Sequence, residues 1–248
     1  MFRHWLGLFI LLLTLSACGP APSGQSLSIE LRWQGKPIGC GGQLDNGWQV
    51  QELRFYLYQL TASDDSGEHS LHVNQQADNE SNVSAEVTLA EFSCQAEALR
   101  APLTIAPAIP EGSDQLSFVI GVPFELNHQN PLQQPAPLNR PDMFWSWQGG
   151  HKFVRLEMAR ADQHFSFHLG STGCAAASKV RAPQTACEEP NTVAVSLPWQ
   201  AGKHIVLDLA KLLGDDPDQK QSCTFHFGEE QACASLLQHL PQAFEVVP

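Results

Sequence analysis

ELRFYLYQL, residues 52–60, alternates apolar and polar side chains with a period of two. In an extended strand Leu53, Phe55 and Leu57 share one face, while Arg54, Tyr56 and Tyr58 share the other. The same rhythm recurs in SLSIELRW (26–33), AEVTLAEF (85–92), QLSFVIGVPF (115–124), KFVRLEMA (152–159), HFSFHLG (164–170), NTVAVSL (191–197) and KHIVLDLA (203–210). These runs are rich in Val, Ile, Phe, Thr and Leu, and turn residues separate them, which predicts an all-β chain, an antiparallel sandwich or barrel-like domain. No long stretch keeps a helical period. EEQACASLLQHL (229–240) predicts one short C-terminal helix carrying Cys233.

Two regions interrupt the pattern. Residues 63–87 are polar and acidic and suit hairpin tips. Residues 123–141, PFELNHQNPLQQPAPLNRP, contain five prolines and predict a long irregular loop. Loops of that length inside a domain tend to carry function. This one runs straight into MFWSWQGGHKF (143–153), where Trp145 and Trp147 flank one serine.

At the N-terminus, Arg3 precedes an apolar run from Trp5 to Leu15, shorter than the roughly 20 residues of a membrane span. LSAC (15–18) then matches the bacterial lipoprotein cleavage pattern. The expected organisation is a signal peptide over 1–17, a tether over 18–25 starting at a lipidated Cys18, and a single domain over 26–248. This places the protein at the periplasmic face of a bacterial membrane or at the cell surface. A formal charge of −12 argues against nucleic acid as a partner.

Six cysteines follow Cys18. In an exported chain an even number suggests disulfides, although sequence leaves fifteen connectivities open. Neighbour pairing is the simplest: Cys174–Cys187 and Cys223–Cys233, which leaves Cys40–Cys94 as the long bridge. No CxxC pair supports a structural zinc site.

Motifs for catalysis are absent: no GxSxG elbow, no HExxH, no phosphate-binding glycine loop. The serines near His168 lack an obvious acidic orienter in sequence. Periodicity puts Phe165, Phe167 and Leu169 inward and His164, Ser166 and His168 outward. His128 reads as a polar loop residue and His151 as a surface residue after a Gly-Gly turn.

LRFYLYQL, GVPFELNHQNP, APLN, MFWSWQGGHKFVRLE, FHLGSTGC, CEEPN and a late cysteine pair occur in that order between Leu27 and His239. Together they resemble the four-cysteine family of the metallo-mystery pair systems, whose relatives include a periplasmic protein encoded with methanobactin genes and methanotroph surface copper proteins. The resemblance implies a β-rich copper-binding protein partnered with a MauG-like di-haem enzyme of the cytochrome c peroxidase type. That enzyme oxidises a tryptophan of its partner to kynurenine, and Cu(I) is then held by histidines and the kynurenine. Carried onto this chain, the resemblance points to His128 and His168 as ligands, His151 as a further candidate, and Trp145 or Trp147 as the oxidation target. Trp33, Trp48 and Trp199 are the alternative targets. Two features depart from the family: His151 replaces the tyrosine usual in GYKF, and six mature cysteines replace four. The expected function is non-enzymatic copper capture, storage or handover. The alternatives are a surface-binding β module without metal and a copper redox enzyme.

Overall fold

The computed structural model describes residues 24–73, 86–218, 222–224 and 230–248. The leader, Cys18 and nearly all of the tether lie outside the described residues. The principal strands of the first half are β1 (Gln25–Trp33), β2 (Gln49–Asp64), β3 (Val87–Glu91), β4 (Ala98–Ala106) and β5 (Gln115–Ile120). Those of the second half are β6 (Val154–Arg160), β7 (Gln163–Leu169), β8 (Val193–Pro198), β9 (His204–Asp208) and β10 (Phe244–Val247). Helical pieces are α1 (Phe124–Asn127), α2 (Leu209–Leu213) and α3 (Glu230–His239). No helix of the described residues is long and apolar enough to cross a membrane.

The strands form two open, mostly antiparallel sheets, as the alternation predicts. One has the order β10–β9–β1–β4; the other has the order β7–β6–β2–β5–β8, with β3 also on β2. The single parallel contact among these is β1 with β9, where Ile29 lies beside Ile205 and Leu31 beside Leu207. Inward side chains of both sheets build one core: Leu27, Ile29 and Leu103 on one side, Leu53, Phe118 and Phe167 on the other. Phe244 of β10 bridges the sheets, its ring 5.7 Å from Phe55 and 5.4 Å from Phe118 in edge-on contacts. That geometry suits aromatic quadrupoles.

β2 serves two neighbours along one edge. Its first half pairs with β6, as Leu53 with Leu156, and its second half with β5, as Ala62 with Leu116. The outward Tyr56 is nevertheless fully buried, because the proline-rich segment folds back over this face. Tyr56 donates its hydroxyl hydrogen to the Pro137 carbonyl at 3.0 Å. Burial pushes that hydroxyl's pKa well above its ordinary value.

Departures from the expected elements have local causes. The strand expected to run to Phe124 stops at Ile120, where Gly121 takes a φ of 145° and Pro123 opens α1. The segment read as wholly irregular therefore contains α1 and short 3-10 turns at Pro131–Gln133 and Pro141–Met143. The strand expected through residue 210 ends at Asp208, whose carboxylate accepts from Ala210 N at 2.9 Å and caps α2. The C-terminal helix forms as predicted. Cys40–Cys94, Cys174–Cys187 and Cys223–Cys233 are the bridges.

Candidate metal centre and aromatic cleft

α1 is a single turn, and its last residue organises the site. Asn127 is 1% exposed and uses its whole amide. Its Oδ1 accepts from His151 N at 2.7 Å, and its Nδ2 lies 3.2 Å from both His128 Nε2 and Ser171 Oγ. Gly150 lies against this amide with a φ of 73°, and a Cβ there would run into it. Only glycine fits both demands.

His128 follows directly and is 5% exposed. Its Nδ1 is 3.2 Å from the Trp147 carbonyl. A carbonyl only accepts, so Nδ1 carries the proton and Nε2 the lone pair. That lone pair accepts from Asn127, and Cys187 Sγ lies 3.5 Å away. Burial lowers the imidazole's pKa, outweighing the Trp147 carbonyl, so the ring is neutral near pH 7. A neutral imidazole with Nδ1–H fixed on a carbonyl and Nε2 bearing the lone pair is the form a metal ion needs.

The opened hairpin Phe144–Ser146 and Gly150–His151 presents the tryptophans. Both are half-buried. Trp147 meets Phe144 edge-on at 6.5 Å. Trp145 lies over Gly170, where a Cβ would collide with its ring. It borders a cleft of about 960 Å³ shared with Gly149, Thr172, Cys174, Lys179 and Leu237. Trp33, Trp48 and Trp199 are instead core residues, 4%, 0% and 7% exposed.

His168 lies elsewhere. It projects from β7 on the outer face of its sheet, half-buried, with Nε2 2.6 Å from Glu157 Oε1. Ser166 donates to the other Glu157 oxygen at 2.6 Å. Glu157 sits opposite Ser166 on β6, an acidic partner eleven residues from His168 that only strand pairing reveals. Burial raises this carboxyl's pKa, but the His168 and Ser166 hydrogen bonds dominate and bring it to about 2. The carboxylate stands between serine and histidine, so no Ser–His proton relay is formed. No contact joins His168 to His128: the structure gathers His128, Trp147 and the Cys174–Cys187 bridge, and keeps His168 in a separate ionic patch. Arg155, Glu52, Arg54 and Asp142 continue that patch.

His151 corrects the reading as a surface residue. It is 0% exposed, with Nδ1 2.8 Å from the Asn127 carbonyl and Nε2 3.1 Å from the Leu138 carbonyl. The rings of Tyr56 and Phe144 stand edge-on to it. Both nitrogens face carbonyl oxygens. His151 holds the loop to the hairpin. Burial lowers its pKa against the pull of the two carbonyls. Sequence reasoning missed Asn127 and Glu157, whose partners lie in other elements. It also missed the bridge sulfurs as neighbours of His128, although all three donors lie within 4.8 Å of one another.

Comparison with known proteins gives a consistent picture. The model of the MbnP family matches residues 22–231. Among solved structures, MbnP from Methylosinus trichosporium is similar with a TM-score of 0.68, covering 86% of this chain and 87% of that one at 22% identity. At that identity the likeness shows the fold. Curated proteins give no match.

Proposed function

The chain belongs to the MbnP family, and from that premise we propose that it is an exported copper-binding protein for capture, storage or handover of Cu(I). Family membership agrees with the resemblance carried by the ordered motifs. The observation that carries the reading is His128: buried, neutral, its proton fixed on the Trp147 carbonyl and its Nε2 lone pair held by the Asn127 amide alone, which a metal ion would displace. Imidazole suits copper, and a loop-borne site on a rigid sandwich allows exchange.

The proposed second donor comes from the adjacent tryptophans. An intact indole has only an N–H donor and offers no lone pair. Ring opening to kynurenine supplies an arylamine and a ketone. Trp145 and Trp147 are the half-buried candidates, and Trp147 already touches His128 through its backbone. A MauG-like di-haem enzyme is the proposed oxidant, and Cys18 the proposed lipid anchor to the periplasmic face or cell surface. His168 enters this site only by giving up Glu157 or by using Nδ1, so His128 is the primary ligand.

The test is Cu(I) competition on disulfide-intact protein isolated with its haem partner, together with mass mapping of the Trp145–Trp147 peptide. Expected are sub-micromolar binding, an opened indole in that peptide, and at least about a tenfold loss, near 1.4 kcal/mol, for His128→Ala. Micromolar or weaker binding by protein that carries the opened indole sinks the reading.

A further inference from the structure

The Cys174–Cys187 bridge is buried, at 8% and 7% exposure, beside a buried imidazole. His128 Nε2 lies 3.5 Å from Cys187 Sγ. A tetrahedral site with metal–nitrogen bonds of about 2.0–2.1 Å and metal–sulfur bonds of about 2.3 Å sets its nitrogen and sulfur about 3.5 Å apart. One nitrogen-to-sulfur edge of such a site is thus already present, and all three donor atoms lie within 4.8 Å of one another. The covalent S–S bond is what keeps the sulfurs from separating to the roughly 3.8 Å that two metal-bound thiolates need.

The surroundings allow that sulfur-to-sulfur edge to open without losing its place. The segment between the two cysteines, residues 175–186, contains no strand or helix, so its movement breaks no ladder. Just outside the bridge the two arms are clamped: Thr172 N donates to the Glu189 carbonyl at 2.9 Å and Glu189 N to the Thr172 carbonyl at 3.1 Å. With the arms tied together, two free thiols stay within reach of each other and of His128. Cys174 also lines the cleft beside Trp145, which gives a reductant a way in.

We propose that Cys174, Cys187 and His128 form a redox-gated site for a thiophilic metal ion, Cu(I) or Zn(II), closed while the bridge is intact and opened by its reduction. A dithiol reductant supplies two electrons and two protons; the S–S bond breaks to two thiols and the dithiol closes to its own disulfide. Metal binding releases both thiol protons to water and leaves two thiolates and one neutral imidazole as ligands. The proposal deepens the copper reading by sharing His128, but it requires no modified tryptophan. Reduction would exchange an exchangeable site for a tighter, sulfur-rich one.

The experiment uses the mature chain made without its haem partner, so that the indoles are intact, and Co(II) as the probe. Protein is reduced with a phosphine, titrated with Co(II) without oxygen, and read by thiolate-to-cobalt charge-transfer absorption, with circular dichroism as the check on folding. Reduced protein is expected to take up one Co(II) with that band, and oxidised protein to show none. Cys174→Ser/Cys187→Ser should abolish the band, and His128→Ala should weaken Co(II) binding at least about tenfold. If the double variant does not fold, alkylation mapping of the reduced wild type decides: Co(II) must protect Cys174 and Cys187. No band from folded reduced protein, a band surviving in the folded double variant, protection of other cysteines, or unfolding on reduction each overturns the site. Because the copper assay uses oxidised protein matured by its partner, either test can fail without the other.

Discussion

Asn127 shows how much a single side chain organises here. Replacing it with Ala leaves the His151 N–H without its acceptor and removes the donor to His128 Nε2. An expected cost of ~1–3 kcal/mol follows from orphaning buried polar groups, read as a lower urea midpoint. Acid has a direction that these residues set. His128 and His151 have pKa values pushed below the ordinary 6.5, burial being the main cause. The unfolded chain therefore binds these protons first, and the stability they contribute is full above about pH 6.5 and lost as pH falls. Glu157, at about 2 against an ordinary 4.5, acts the same way lower down: its contribution is full above about 4.5 and fades toward 2. Its partial exposure screens that contribution to on the order of 1 kcal/mol. Denaturant titrations across pH should thus show stability declining below about 6.5 and again below about 4.5. Glu157→Gln should flatten the second decline only, and a gain in stability between pH 7 and pH 5 would reverse the assignment.

At the scale of elements, strands whose alternation was uninterrupted were legible and those with a proline or an unusual length were not. Residues 98–106 form β4 although Pro102 sits at their centre. On its outer edge the ladder covers only residues 98–100 and 105–106, through the short strands Ser93–Gln95 and His72–Val73. Pro102 falls in the gap, where a strand tolerates a missing donor. β10 is only four residues at the very end of the chain, too short for periodicity to mark. Packing, not pattern, fixes it: Phe244 is 5% exposed between Phe55 and Phe118. Phe244→Ala should cost ~3–5 kcal/mol, the range for emptying an aromatic core site, measured by thermal and urea unfolding. A loss within error would mean that β10 is a loose flap.

For the whole molecule, legibility follows the range of the interactions. The sandwich was readable because each strand's inward face is written in its own residues, as in Leu53, Phe55 and Leu57. The candidate site was half readable: the aromatic pair stood out and the family resemblance pointed to His128, while their neighbours stayed hidden. Asn127 meets Gly150, His151 and Ser171, and His128 meets Cys187, only after the proline-rich segment folds onto β2. The resemblance points to His168 as a co-ligand, and strand pairing sets Glu157 against its Nε2. From such long-range contacts we propose a single folding unit. One continuous cluster joins Leu31 of β1, Leu57 of β2, Leu212 of α2 and Leu236 of α3. No sheet can open without exposing side chains that the other covers, and burial at this density makes unfolding cooperative. Trp48 reports from the second sheet, fully buried, edge-on to Phe165 at 6.5 Å and beneath Arg160. Trp33 reports from the first. In urea, with all bridges intact, tryptophan emission and far-ultraviolet circular dichroism should trace one coincident transition. Two resolved transitions would instead make each sheet a unit with its own stability, and Phe244 a hinge between them.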